Sequence, residues 1–147
     1  MNDVNERELL PEGVAADLVD LGDALDACGA LVERGKEAYA SDEMLRYAAE
    51  ALCNRMGEAV QRLDAGWRET MPGVPWRAIR DNRNVVVHAY RGIDYDELWR
   101  TLTIDVPAVR EALRSVVGQA RRQLVGAADE AASRDGPKDT PRGRPGW

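Results

Sequence analysis

Apolar residues recur every three or four positions from Val14 to Val32, and this spacing constrains the fold more than any other feature of the chain. Such spacing places the apolar residues on one face of an α-helix, and acidic residues occupy the rest of the helical surface. It predicts a first helix over 14–34 that ends near Gly35. The residues on its apolar face are Val14, Leu18, Leu21, Leu25, Cys28 and Val32.

The same spacing predicts a second helix over 42–64. Ser41 is the expected N-cap, and Asp42 and Glu43 suit the first turn because carboxylates interact favourably with a helix N-terminus. The expected apolar face of this helix consists of Leu45, Ala48, Leu52, Met56, Ala59 and Leu63.

Glycines and prolines interrupt the pattern over 66–76, which predicts a loop followed by a third helix with Pro75 as its first residue. Gly92 can end that helix. Asp94 can cap a short helix, and Asp105 can cap a long fourth one. The sequence therefore predicts an all-α, up-and-down bundle of about four helices plus a short extra helix.

The chain has 147 residues, which is enough for one domain with a substantial core. We expect a flexible N-terminal segment over 1–13, a helical domain over 14–128 and a flexible tail rich in proline and glycine over 129–147. The two cysteines, Cys28 and Cys53, fall on apolar faces and are expected to be buried free thiols in a reducing compartment.

The charge balance limits the class of partner. With 20 basic and 26 acidic residues the formal net charge is −6, so a polyanion must be bound by a local basic patch rather than by the whole surface. No apolar run is long enough for a membrane helix, and the polar start does not resemble a secretory leader. We therefore expect a cytoplasmic protein without membrane contact. Two cysteines and one histidine offer no zinc-ligand set, and no metal or other cofactor is expected.

The third helix concentrates positive charge, since four arginines and one aspartate lie between Trp76 and Arg91. Arg83 falls in the middle of the apolar face. There it must extend to solvent, pair with a buried acid or face a bound anion. Glu58 of the second helix is a candidate partner for Arg80 or Arg83, the alternative being an ordinary solvated glutamate. The polar flank of the third helix holds Arg77, Arg80, Asn84, His88 and Arg91.

His88 is the only histidine, and its side chain ordinarily titrates near neutrality, at about pH 6.5. A histidine that deprotonates a ribose 2′-hydroxyl, with Arg83 stabilising the charged phosphorane, can cleave RNA without a metal. The alternative is a structural histidine. Arg83 and His88 are about 140° apart on a straight helix. Either the helix distorts at this point, or the site combines residues from two copies across a twofold axis.

The segment VPWRAIRDNRNVVVHAYRGIDYDELW, residues 74–99, resembles the signature of HepT-like proteins in the HEPN superfamily. Its core is Arg83, Asn84, His88 and Tyr90. The sequence MGEAV at 56–60 is similar to a segment of the family's preceding helix. The likeness covers roughly 14–125.

The resemblance implies a homodimeric ribonuclease toxin of a toxin–antitoxin pair, with RNA as the substrate and Arg83 and His88 in the catalytic roles. Asn84 would be the polar support beside the arginine. The implied partner is a minimal nucleotidyltransferase antitoxin that transfers AMP to Tyr90, which would place negative charge beside the basic patch. Tyr90 could alternatively be an interface aromatic.

Two other functions remain open from the sequence. In the ribonuclease, Arg77, Arg80 and Arg91 are the expected RNA-binding residues. One alternative is a non-catalytic dimeric helical module that binds a nucleotide or an acidic protein through its basic stripe, to which Arg80 and Arg83 would contribute comparably. The other is a plain structural bundle in which His88 is buried and hydrogen-bonded. RNA cleavage that is lost when His88 is replaced would distinguish the ribonuclease from both of these alternatives.

Overall fold

The computed structural model describes residues 8–87 and 92–136, with the main chain alone over 82–87. These residues form helices and connecting turns and contain no strand, so the predicted all-α class is confirmed. The helices are α1 (Glu12–Glu33), α2 (Lys36–Ser41), α3 (Glu43–Arg62), α4 (Ala65–Glu69), α5 (Trp76–Val87), α6 (Tyr95–Arg100) and α7 (Val106–Arg134).

The core lies where α1 packs between α3 and α7, and α5 packs on α3. Helix α1 contributes the largest share, because its leucines at 18, 21 and 25 are almost completely buried. Val60 and Leu63 from the α3 end and Leu113 from α7 close the same core. Within the described part of the chain, no helix is long and apolar enough to cross a membrane.

The start of the bundle follows the predicted pattern closely. Helix α1 begins at Glu12, two residues before the predicted start, and the expected apolar face is buried except for the half-buried Val32. Gly35 ends the helical run with a φ of +87°, a conformation that glycine adopts without strain. The short helix α2, which the sequence did not predict, follows directly and buries Tyr39.

The predicted N-cap of the second long helix is wrong by one residue. The Asp42 side chain accepts the hydrogen bond from the Met44 amide at 2.9 Å, whereas Ser41 is the last residue of α2 and donates to the Glu37 carbonyl. Ser41 cannot cap α3 because it still belongs to the preceding helix. The buried face of α3 is also rotated from the expected one and consists of Ala49, Cys53, Met56, Gly57, Ala59 and Val60.

The predicted loop over 66–76 contains most of the short helix α4, which Asp64 caps by accepting a hydrogen bond from the Trp67 amide at 2.9 Å. Pro75 immediately precedes α5 rather than starting it. Further along, Asp94 caps α6 as predicted, because its carboxylate accepts from the amides of Asp96 and Glu97 at 3.1 Å.

The predicted break at Asp105 does not occur. Helix α6 continues through a π-helical turn over Thr101–Asp105 directly into α7, and Asp105 has helical dihedral angles without a side-chain cap. The wide turn precedes Pro107, which lacks an amide hydrogen and would clash with the carbonyl four residues earlier in an α-helical register. A proline at this position thus changes the helix type instead of starting a new helix.

Ordered helix and hydrogen-bonded chain are found on both sides of the range 14–128. Helix α7 ends at Arg134, six residues beyond the predicted boundary at 128. The N-terminal segment is attached at residues 8–10, because the Gln123 amide both accepts from Leu10 N at 2.9 Å and donates to Leu10 O at 2.7 Å. Gln119 donates to the Glu8 carbonyl at 2.9 Å. The rest of the predicted flexible ends, 1–7 and 137–147, lies outside the described residues.

Candidate functional site

Helix α5 carries the first half of the predicted site. The main chain of Arg83 and Asn84 belongs to this helix, although their side chains are outside the part of the chain that the structure describes. His88, Tyr90 and Arg91 follow the helix and are also outside the described part of the chain. The structure describes the side chains of three other predicted site residues, Arg77, Arg80 and Glu58.

The start of α5 is fixed by Trp76. Its indole Nε1 donates to the main-chain carbonyls of Arg68 at 3.1 Å and Met71 at 3.0 Å. The Trp67 ring meets the Trp76 ring edge-on, with 6.0 Å between the ring centroids. Ile79 is buried one turn later. The helix therefore presents its arginines from a firmly packed first turn.

Arg77 is exposed and Arg80 is half-buried. The Arg80 Nε lies 3.6 Å from the Asp81 Oδ1, and the two side chains are 42% and 51% exposed. An ion pair this open to water adds little stability, so the Arg80 guanidinium can exchange Asp81 for another anion at low cost. Helix α5 carries three arginines and one aspartate and is therefore a positively charged surface on an acidic protein.

Glu58 lies elsewhere. It is exposed and lines a cleft of about 450 Å³ with residues of α1 and α3, including Asp20, Arg55 and Arg62. Among the described side chains no ion pair joins Glu58 to Arg80, so the predicted pair with Arg80 is not formed. The reason is geometric, since the cleft lies between α3 and α1 and Arg80 belongs to α5. A pair with Arg83 involves a side chain outside the described residues.

One polar atom on α3 was not singled out from the sequence. Asn54 Oδ1 is buried and has no hydrogen-bond partner among the described residues. A buried carbonyl oxygen without a partner costs free energy, which makes such atoms unusual. The sequence does contain one indication of this buried atom, because Asn54 is an amide residue between Cys53 and Met56, which both lie on the buried face of α3.

The two cysteines are buried free thiols, as predicted. Burial raises the pKa of Cys28 to about 12 and the pKa of Cys53 to about 11. Thiols of this kind are protonated at neutral pH and poor nucleophiles. No group of three or more histidine, cysteine, aspartate or glutamate side chains within the described residues is arranged to hold a metal ion.

Sequence comparison defines the class of protein. The family described as "Ribonuclease HepT-like" matches residues 21–116, a range that runs from α1 into α7 and includes the motif from Arg83 to Tyr90. The match covers more than half of the chain. This protein belongs to the HepT-like family.

Individual relatives agree with this assignment. "Putative RNase MJ1380" of Methanocaldococcus jannaschii is 32% identical over 100 residues, which are 65% of this chain and 92% of the relative. "Putative RNase TTE0752" of Caldanaerobacter subterraneus is 30% identical over 97 residues, which are 63% of this chain and 87% of the relative. "Probable ribonuclease HepT" of Thermococcus cleftensis is 28% identical over 74 residues, which are 50% of this chain and 67% of that protein. No solved structure gives a significant match.

Proposed function

We propose that this protein is a metal-independent endoribonuclease and the toxin of a cytoplasmic toxin–antitoxin pair. The observation that carries the proposal is the HepT-like match over residues 21–116, which includes the arginine–histidine motif on and after α5. The positive charge of α5 on a protein of net charge −6 supports it, because an RNA backbone needs a local basic surface.

In the proposed reaction, His88 removes the proton from a ribose 2′-hydroxyl. The 2′ oxygen attacks the adjacent phosphorus, and the bond from phosphorus to the 5′ oxygen of the next nucleotide breaks. The protonated imidazole then gives its proton to the departing 5′ oxygen, which leaves a 2′,3′-cyclic phosphate and a 5′-hydroxyl. Arg83 stabilises the additional negative charge on the phosphorane, and Asn84 supports the arginine.

The arginines on the polar flank would bind the RNA backbone. Arg77 is exposed, and the pair that Arg80 forms with Asp81 is weak because it is open to water, so both arginines can contact phosphates. Arg91, which lies outside the described residues, is the third arginine proposed to bind RNA. Because this binding is electrostatic, the affinity for RNA should fall steeply as the salt concentration rises.

The functional unit in this proposal is a homodimer. Arg83 and His88 are five positions apart in the sequence, which corresponds to about 140° on a straight helix. A site composed of Arg83 from one copy and His88 from the other brings the two groups to one phosphate without distorting the helix.

Regulation by a minimal nucleotidyltransferase antitoxin completes the proposal. The antitoxin would transfer AMP from ATP to the Tyr90 hydroxyl and release pyrophosphate. The new phosphodiester carries negative charge two residues from His88 and repels the RNA backbone. Incubation with the antitoxin and ATP should add one AMP to the wild-type protein and to the Tyr47→Phe control, but not to Tyr90→Phe.

The main test uses total RNA in EDTA with the wild-type protein, His88→Ala and Arg100→Ala. Arg100 is an exposed arginine of α6 that pairs with Glu97, so its replacement controls for the loss of one surface charge. We expect cleavage by the wild-type protein and Arg100→Ala and none by His88→Ala. Cleavage that persists in His88→Ala contradicts the proposed site. Tight RNA or nucleotide binding without cleavage by a folded wild-type dimer favours the binding module.

A mixing experiment tests the composite site. Arg83→Ala and His88→Ala are inactive alone in this proposal. After their subunits exchange, a mixed dimer regains one site that has both wild-type side chains. Recovered cleavage supports a site shared between copies, and its absence in a confirmed mixed dimer contradicts it.

A further inference from the structure

The main chain that follows the motif is attached to α2 by a buried tyrosine. The hydroxyl of Tyr39, a residue only 2% exposed, donates to the main-chain carbonyl of Tyr95 at 2.9 Å. Tyr95 is the first residue of α6 and lies seven positions after His88. The Tyr39 ring is held by Trp99, with the two ring centroids 4.8 Å apart. The hydroxyl therefore projects from a rigid support.

The side chain of Tyr95 is attached to α3 at the same place. Its hydroxyl donates to Glu50 Oε1 at 3.2 Å, and the Arg46 guanidinium lies 5.3 Å from the centre of its ring. Arg46 also donates to the Tyr39 carbonyl at 3.2 Å and thereby joins α2 to the same group. We call Tyr39, Arg46, Glu50 and Tyr95 the Tyr95 clamp.

Both tyrosine hydroxyls of the clamp must carry their protons to make these bonds. Burial raises the pKa of Tyr39 to about 12. Burial also raises the pKa of Tyr95, and the neighbouring Glu50 carboxylate adds to the effect. Both hydroxyls therefore keep the protons that these hydrogen bonds need throughout the neutral pH range in which RNA cleavage is assayed.

The clamp matters because the motif segment is short. Only four residues, 88–91, connect Val87 at the end of α5 to Gly92. An extended chain covers at most about 3.6 Å per residue, so the positions of the two ends limit where His88 can lie. Trp76 holds the start of α5, and the Tyr95 clamp holds the chain three residues after Gly92.

We propose that Tyr39 and Glu50 are positioning residues for His88, acting through Tyr95 and the chain that precedes it. This inference rests on the proposed ribonuclease function. Neither side chain need touch RNA. A displacement of about 1 Å in a reacting group can lower a catalytic rate by about 100-fold, so a remote anchor of this kind can control kcat.

The test compares Tyr39→Phe with Tyr47→Phe. Each change removes one hydroxyl, but the exposed Tyr47 hydroxyl donates to Glu43 of its own helix at 2.7 Å and is outside the clamp. We expect Tyr39→Phe to lower kcat for RNA cleavage about tenfold while KM stays within about twofold. Amide hydrogen exchange should become faster over 92–95 in Tyr39→Phe and stay unchanged in Tyr47→Phe. Equal kcat values in the two variants overturn the proposal.

Glu50 provides a second and independent comparison. Glu50→Gln keeps an oxygen acceptor for the Tyr95 hydroxyl, and Glu50→Ala removes it. We expect Glu50→Gln to retain kcat within about twofold and Glu50→Ala to lower it as Tyr39→Phe does. A loss that is equal in both Glu50 variants contradicts the positioning role. If the wild-type protein cleaves no RNA, the proposed function fails, and unchanged exchange over 92–95 in Tyr39→Phe overturns the clamp separately.

Discussion

Gly22 of α1 lies directly against Val117 of α7. A Cβ atom at position 22 would come 2.5 Å from Val117 Cγ1 and 3.2 Å from Arg121 Nη2. Carbon atoms do not approach this closely without displacing one another. The absence of a side chain at Gly22 therefore sets how near the two core helices can pack.

Gly22→Ala should destabilise the bundle, although alanine is the better helix former. The new methyl group must push Val117 or the whole of α7 away, at a cost of about 1–3 kcal/mol. Gly29→Ala is the matched control on the same helix, because its Cβ would meet only the far end of the long Arg110 side chain, at 2.8 Å from Nη1, which can shift at the small cost of its exposed ion pair with Asp26. We expect Gly29→Ala to be neutral or stabilising by up to about 1 kcal/mol. Urea unfolding measures both, and equal effects would contradict the close approach at Gly22.

Replacing Trp76 should destabilise the start of α5, because its indole forms two hydrogen bonds there. Trp76→Phe keeps an aromatic ring but removes the donor shared by the Arg68 and Met71 carbonyls. We expect the free energy of unfolding to fall by about 1–2 kcal/mol. Trp99→Phe, which loses a similar ring area in contact with Tyr39, should cost less. Amide exchange over α5 should become faster only in Trp76→Phe. Unchanged exchange there would show that the indole does not hold the start of the helix.

The glutamines of α7 should differ in how strongly they hold the N-terminal segment. Gln123→Ala removes two hydrogen bonds to Leu10, and Gln119→Ala removes one to Glu8. We expect a loss of about 1–2 kcal/mol for Gln123→Ala and about half of that for Gln119→Ala. Proteolysis near residues 8–11 should follow the same order. The reverse order would contradict the paired amide contact.

The buried thiols predict a dependence of stability on pH. Burial raises the pKa of Cys28 to about 12 and that of Cys53 to about 11, so the folded protein keeps protons that the unfolded chain loses above about pH 9. The contribution of each thiol is complete below about pH 9 and falls by about 1.4 kcal/mol per pH unit above it, up to about pH 12 for Cys28 and about pH 11 for Cys53. A Cys28→Ala, Cys53→Ala double variant should lose this part of the slope. Urea unfolding at several pH values measures it, and identical slopes would contradict the shifts.

Much of the fold could be predicted from helical spacing. The face of α1 and the Asp94 cap follow from local rules that act within a few residues. The errors arise where neighbouring elements compete for one residue. Ser41 is already part of α2, so Asp42 caps α3. Asp105 lies in a continuous helix, because a π-helical turn accommodates Pro107.

The candidate site, like the fold, could be predicted from the sequence only where its residues are close together in the chain. The arginines of α5 and the histidine motif can be recognised because they fall within one short stretch of the sequence. The Tyr95 clamp joins residues from three helices, and no local sequence pattern indicates that Tyr39 and Tyr95 are in contact. The expected Glu58–Arg80 pair failed for the related reason that a helical wheel does not specify which neighbouring helix each face meets.

The central claim is that His88 activates a ribose 2′-hydroxyl. The most direct measurement uses two oligoribonucleotides that contain the main cleavage position, one of them with a single 2′-deoxynucleotide at that position, incubated with the protein in EDTA. We predict that the all-ribose strand is cut to a 2′,3′-cyclic phosphate and that the substituted strand is intact at that bond. Cleavage of the substituted strand, or products that end in a 5′-phosphate, would contradict it.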